Sequence, residues 1–114
     1  MKEQVPGNYL RAHRKKSGLS QRELGILIGY KDQGQVSRHE RSESIPPLVV
    51  ALAYEIVFRV PVSSIFGGIR GNVQSQLEEK LGQMETELGN RSARDRDATV
   101  VAQKLIWLCE RRRE

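Results

Sequence analysis

The chain is poor in the residues that build chemical centres. It has one cysteine, Cys109, in 114 residues, which excludes an intramolecular disulfide framework and any cysteine-based zinc site and agrees with a reducing compartment. Two histidines, His13 and His39, are all that remain for metal binding or acid–base work, and both lie far along the chain from Cys109. Nothing resembles a phosphate loop and no hydrolytic constellation can be assembled, so neither an enzyme nor a cofactor site is expected. Aromatic residues make up 5% and apolar residues 38%, against 29% charged. That balance suits a small fold with a modest core and excludes a large two-layer enzyme. No run reaches the roughly 18 apolar residues of a membrane span, and the opening MKEQVPGNYLRAHRKK has no apolar signal region. A cytoplasmic protein without membrane contact is the expectation.

What the chain has in excess is positive charge, with a formal net of +5. Through Phe66 there are 10 basic and 6 acidic residues, and beyond it 9 and 8, so the excess is N-terminal. It concentrates in Arg11, Arg14, Lys15, Lys16 and Arg22, with no carboxylate until Glu23. Such a stretch suits a polyanion, and on charge alone it suits a solvated helix face equally well.

Capping signals divide the first 66 residues into short helices. Ser20 with Glu23 three residues on forms a capping box. It opens a helix that carries Leu24, Leu27 and Ile28 and closes near Gly29. Asp32 with Gln35 repeats the box and opens a second helix through Val36, His39 and Glu40. Upstream, Gly7 or Asn8 begins a helix with Tyr9, Leu10 and His13 on one stripe, ending at Ser17-Gly18. Downstream, Ser44-Ile45-Pro46-Pro47 starts a helix bearing Leu48, Leu52, Ala53 and Ile56, and a very short helix follows Pro61 with Ile65 and Phe66 turned into the core. No segment shows sustained strand alternation.

Leu10-Arg11, Arg14-Lys15-Lys16, Gly18-Leu19-Ser20-Gln21-Arg22-Glu23-Leu24, Gly29, Val36-Ser37-Arg38-His39-Glu40-Arg41, Pro47 and Ile65-Phe66 resemble the lambda-repressor-like helix-turn-helix domain of the XRE family. The resemblance covers roughly residues 8 to 66. It implies an all-α chain whose five-helix DNA-binding domain, residues 1–68, has its second helix across the DNA backbone and its third in the major groove. Gln33, Gln35 and Arg38 are then the base-reading side chains, since a Gln amide matches the N6/N7 edge of adenine and an Arg guanidinium the O6/N7 edge of guanine. Gln21, Arg22, Lys31, Ser37 and Arg41 are the implied phosphate contacts, Gln21 standing at the start of the second helix. Two roles stay open: Gln35 also serves as capping-box partner, and Arg38 also pairs on the surface with Glu40 or Glu43. A carboxylate at position 40 would repel phosphate, so it is read as the partner of Arg14. His13 and His39 fall where the family has apolar core residues and are read as half-buried packing. The sequence departs from the family's pattern in four places: one extra residue between Gly29 and Val36, Ser42 and Arg59 where glycine is usual, and Gly25 where alanine is usual.

Residues 69–114 read as a C-terminal helical hairpin used for dimerisation. Gly67-Gly68-Ile69-Arg70-Gly71 has three glycines in five residues and suggests a hinge. Val73, Leu77, Leu81, Met84 and Leu88 follow as a helical stripe, Gly89-Asn90 as its stop, and Ser92-Ala93-Arg94-Asp95 as the next capping box. The last helix carries Ala98, Val101, Leu105 and Leu108 on one stripe. Leu105-Ile106-Trp107-Leu108-Cys109 nevertheless points apolar side chains all round it. One hairpin partner covers one face only. Leu77, Leu81, Met84, Leu88, Val101, Leu105, Trp107 and Leu108 are therefore the expected homodimer interface, with Trp107 as anchor, and packing within the chain is the competing arrangement. Cys109 reads as a buried small apolar residue, and Arg111-Arg112-Arg113 as a complement to the helix dipole or a solubilising tail.

The resemblance and the hairpin together imply a sequence-specific transcriptional regulator, a dimeric repressor reading an inverted repeat on double-stranded DNA. The competing function is an antitoxin-like interaction module whose C-terminal helices bind a protein partner.

Overall fold

The computed structural model describes residues 6–90 and 98–113. Every described element is a helix: α1 Leu10–Ser17, α2 Gln21–Leu27, α3 Gly34–Glu40, α4 Leu48–Phe58, α5 Val62–Ile65, α6 Gly67–Gly89 and α7 Ala98–Arg111. None of them is long and apolar enough to cross a membrane. The chain divides into two compact units, one ending at Asn72 and the next beginning at Val73, within the length of α6.

The first unit is built on punctuation the sequence displays. Asn8 Oδ1 accepts from the Leu10 amide and Gly18, at φ 80°, closes α1. At α2 both halves of the capping box form, the Glu23 amide donating to Ser20 Oγ and the Ser20 amide to Glu23 Oε1. Glu55 on α4 accepts from the Val62 amide at 2.8 Å and so caps α5. Each of the five helices supplies the core: Leu10, Leu24, Val36, Val50 with Tyr54, and Ile65, joined by Phe66.

Three details depart from expectation. Asp32 does not take the N-cap position of the third helix, which falls to Gln33, and its Oδ1 accepts from the Gly34 amide in place of the expected box with Gln35. In α2, Leu24 is buried and Ile28 packs on the core, while Leu27 is 62% exposed. In α4 the expected stripe is turned outward: Leu48, Leu52 and Ile56 are exposed, and Val50, Ala51 and Tyr54 are buried. The helix LVVALAYEIVF is apolar almost throughout, so its periodicity selects no face. A polar contact does: the Tyr54 hydroxyl meets His39 Nδ1 at 2.8 Å, and the two rings pack edge to face. His39 is thus a buried core residue of α3, 2% exposed, with Asn8 Nδ2 donating to its carbonyl. His13 is half-buried beside Phe58.

The glycine-rich segment expected to hinge is instead the start of α6. Glycine costs only about 1 kcal/mol in a helix, and here small size has a use. A Cβ on Gly68 would lie 2.5 Å from Pro6 Cβ, and Ile69 packs onto the core.

The second unit is an antiparallel pair, with Glu78 midway along α6 paired to Arg111 at the end of α7, and Glu85 to Arg112. Arg111 and Arg112 thus join the two helices rather than form a free tail. Leu88, Val101 and Leu108 make its core, with Leu81 and Leu105 against them. Cys109 is exposed, contrary to its reading as buried. The capping box read at residues 92–95 lies outside the described residues.

Candidate nucleic-acid interface

The polar face of the first unit is organised by one buried carboxylate. Glu40 ends α3 with its side chain 2% exposed. Arg14, on α1 and 11% exposed, donates to it through Nε at 2.5 Å and through the second terminal nitrogen at 3.2 Å. The other terminal nitrogen of Arg14 donates to the Leu19 carbonyl at 3.0 Å, and Gln21 Nε2 donates to Glu40 Oε1 at 3.0 Å. Three elements are therefore tied together: α1, the start of α2, and the end of α3. The pairing of Arg14 with Glu40 read from the sequence is present, and it neutralises the carboxylate of the larger cleft, which would otherwise oppose a polyanion there. Removing one partner of such a buried pair costs about 3–5 kcal/mol, because the other is left charged and uncompensated.

Around this anchor lie two adjoining clefts. The larger, about 730 Å³, is lined by Arg11, Arg14, Ser20, Gln21, Arg22, Gln33, Ser37, Glu40 and Arg41. The smaller, about 480 Å³, is lined by Gln21, Asp32, Gln33, Gly34, Ser37, Arg38 and Arg41. The helical period explains the clustering, since Gln33, Ser37 and Arg41 follow one another at four-residue intervals along one face of α3. Val36 and His39 face the core on the other side.

Of the side chains assigned from the sequence, Gln21, Arg22, Gln33, Ser37, Arg38 and Arg41 come together on these walls, whereas Gln35 and Lys31 line neither cleft. Arg38 makes no ion pair among the described residues, because its two expected partners are engaged: Glu40 with Arg14 and Gln21, and Glu43 with Arg41 at 3.1 Å. The Arg41–Glu43 pair is more than half exposed on both sides, so it holds Arg41 in place by only about 0–1 kcal/mol. Sequence reasoning placed Arg11 in the basic stretch without assigning it a contact. Its signal was its spacing of three from Arg14, which puts both on one face of α1.

The local ionisation pattern has simple causes. Hydrogen bonds from the Ser20 amide and hydroxyl hold the Glu23 carboxyl below its ordinary range. Burial lowers the tendency of His39 to take a proton. Burial first, then the nearby Tyr30 and Glu40, pushes the Tyr54 hydroxyl well above its ordinary value.

A helical domain with a short helix, a tight turn and a second helix whose polar face opens to solvent beside free arginines corresponds to one family description, Helix-turn-helix, which matches residues 10–65. Residues 10–65 belong to the helix-turn-helix family, of the XRE type. It is a DNA-binding, non-enzymatic domain family of transcriptional regulators. Within this helix-turn-helix domain α2 is the first helix of the motif and α3 the second. Comparison of the chain with characterised proteins and with solved structures returned no match.

Proposed function

We propose that this helix-turn-helix protein is a dimeric transcriptional repressor that reads an inverted-repeat operator. The observation that carries the reading is the meeting of Gln33 and Arg38 from α3 with Gln21, Arg22, Ser37 and Arg41 on one continuous polar surface. Gln33 and Arg38 present the bidentate groups suited to adenine and guanine edges. Gln21, Arg22, Ser37 and Arg41 hold phosphates and so set the register of α3 in the groove. Gln35, away from the clefts, is left without a reading role.

The hairpin is the proposed dimer interface. Leu81, Leu88, Val101, Leu105 and Leu108 are spent on its own small core. Val73, Leu77, Met84, Val100, Ile106 and Trp107 remain between 44% and 60% exposed, a set of apolar side chains for a second copy to cover. A two-fold then presents two recognition helices to half-sites about 10 bp apart. The same exposed residues support the competing reading, a protein partner bound by the C-terminal helices as in antitoxins that resemble this domain.

Selection from random duplex DNA by the purified protein at near-physiological salt, with light scattering of the complex, tests the proposal. An enriched inverted repeat bound by two chains is the expected result. Salt-sensitive retention without any enriched motif would overturn it and favour the protein-partner reading.

A further inference from the structure

The larger cleft is rich in positive charge, and its distribution is uneven. Four arginines line it, and each has a distinct fate. Arg14 is buried and committed on every face, to both Glu40 oxygens and to the Leu19 carbonyl. It cannot reach an occupant of the cleft. Arg41 shares its guanidinium with Glu43. Arg11 and Arg22 are exposed and have no ion pair among the described residues, and they stand on walls contributed by different helices, α1 and α2. The net charge offered to an occupant is therefore supplied by this pair.

We propose that Arg11 is a phosphate-anchoring residue of the DNA interface, acting from α1 across the cleft from Arg22, so that the two guanidinium groups grip one stretch of phosphodiester backbone. The inference rests on the DNA-binding reading above. An extended polyanion is the fitting occupant, because Gln21, Gln33, Ser37 and Arg41 line both clefts. An occupant of the larger one thus continues directly into the surface that carries Arg38. A small free anion would use only one of them. The role assigned to Arg11 carries no sequence information: a guanidinium on a phosphate strengthens binding to every duplex alike.

The test is the dependence of DNA affinity on salt. Each cation that neutralises a phosphate contributes about 0.9 to the slope of log affinity against log salt. Arg11→Gln is expected to lower the slope by about one on the selected operator and on random duplex alike. Its affinity deficit against the parent protein then shrinks about three- to fourfold between 50 and 200 mM salt. Arg11→Gln with Arg22→Gln is expected to lower the slope by about two. Lys16→Gln, an exposed cation of α1 that lines neither cleft, is expected to leave it unchanged. Thermal unfolding of each variant confirms that the fold is kept.

An unchanged slope in Arg11→Gln would overturn the assignment while leaving the DNA-binding reading intact. Equal losses from Arg11→Gln and Lys16→Gln would also overturn it, as a general charge effect. Micromolar binding of inorganic pyrophosphate that depends on Arg11 would replace the backbone contact with a discrete-anion site. Failure of the parent protein to bind DNA at all would remove the underlying reading itself.

Discussion

An added methyl group at Gly25 would lie 2.4 Å from the Asp32 carbonyl oxygen and 3.3 Å from its carbon. Glycine inside a helix ordinarily costs about 0.8–1 kcal/mol relative to alanine, so Gly25→Ala looks stabilising until the backbone above it is considered. A carbonyl cannot rotate away as a side chain can, and the Tyr30 amide, bonded to the Gly25 carbonyl at 2.8 Å, holds the turn down. Gly25→Ala should destabilise the protein by about 1–3 kcal/mol, the usual range for overpacking. Gly82→Ala, where an added methyl meets nothing within 4 Å, should instead stabilise it by up to about 1 kcal/mol. Denaturant unfolding of the two variants checks both signs. His39 supplies the other residue-scale prediction. Its burial lowers its affinity for protons in the fold, whereas the unfolded chain takes one up near the ordinary value of 6.5. The unfolded state therefore binds more protons below that pH. The contribution of His39 is complete above about 6.5 and is lost as the pH falls through and below it. Melting temperatures measured from pH 7 to pH 5 should fall, and His39→Gln, which keeps a polar partner for Tyr54, should flatten the decline.

Helix ends were the most legible feature of the sequence, because capping acts over three residues and needs no knowledge of the rest of the chain. Ser20 with Glu23, Asn8 before α1 and Gly18 after it behave as local chemistry requires. Helix faces were less legible. α4 is apolar on every side, and the His39–Tyr54 contact that fixes its rotation joins residues 15 apart, beyond the reach of periodicity. The segment from Gly67 misled for a related reason: its glycines suggested freedom, while the neighbour that makes use of their small size, Pro6, lies at the other end of the unit. Most of the residues that line the clefts were readable because the motif fixes α3 relative to α2. Arg11 was not assigned, because its value depends on which neighbouring arginines are already paired. Two helix ends carry a further consequence. Ser42 and Arg59, standing where the family usually has glycine, both adopt left-handed backbone, at φ 58° and 54°. That conformation costs a side-chain-bearing residue about 1–2 kcal/mol. Arg59→Gly should raise stability by about 0.5–1 kcal/mol after the added freedom of the unfolded chain is subtracted. Ser42→Gly should gain less or nothing. Its hydroxyl donates to the Pro6 carbonyl and accepts from Asn8, bonds that the substitution removes. Thermal melts of the two variants side by side measure the difference.

At the scale of the molecule, two compact units divide the work unequally. The first buries a side chain from each of its five helices, while the second closes over Leu88, Val101 and Leu108 with two partly buried leucines. So small a core supplies little stability of its own, and the apolar side chains left outside it are the natural source of more. Replacing both Leu77 and Trp107, each about half exposed, with serine should therefore lower the dimer population without unfolding the first unit. Sedimentation analysis over a range of concentrations should show a shift to monomer, and operator affinity should fall because only one half-site is then held. An unchanged association constant would overturn the hairpin as the proposed dimer interface.

The close approach of Gly25 to the Asp32 carbonyl also makes position 25 and the loop from Tyr30 to Gly34 a single choice for anyone rebuilding this surface. A side chain can be restored at position 25 only if the loop is re-routed so that the Asp32 carbonyl lifts off the helix. A loop grafted in its place is judged first by where it sets that one oxygen.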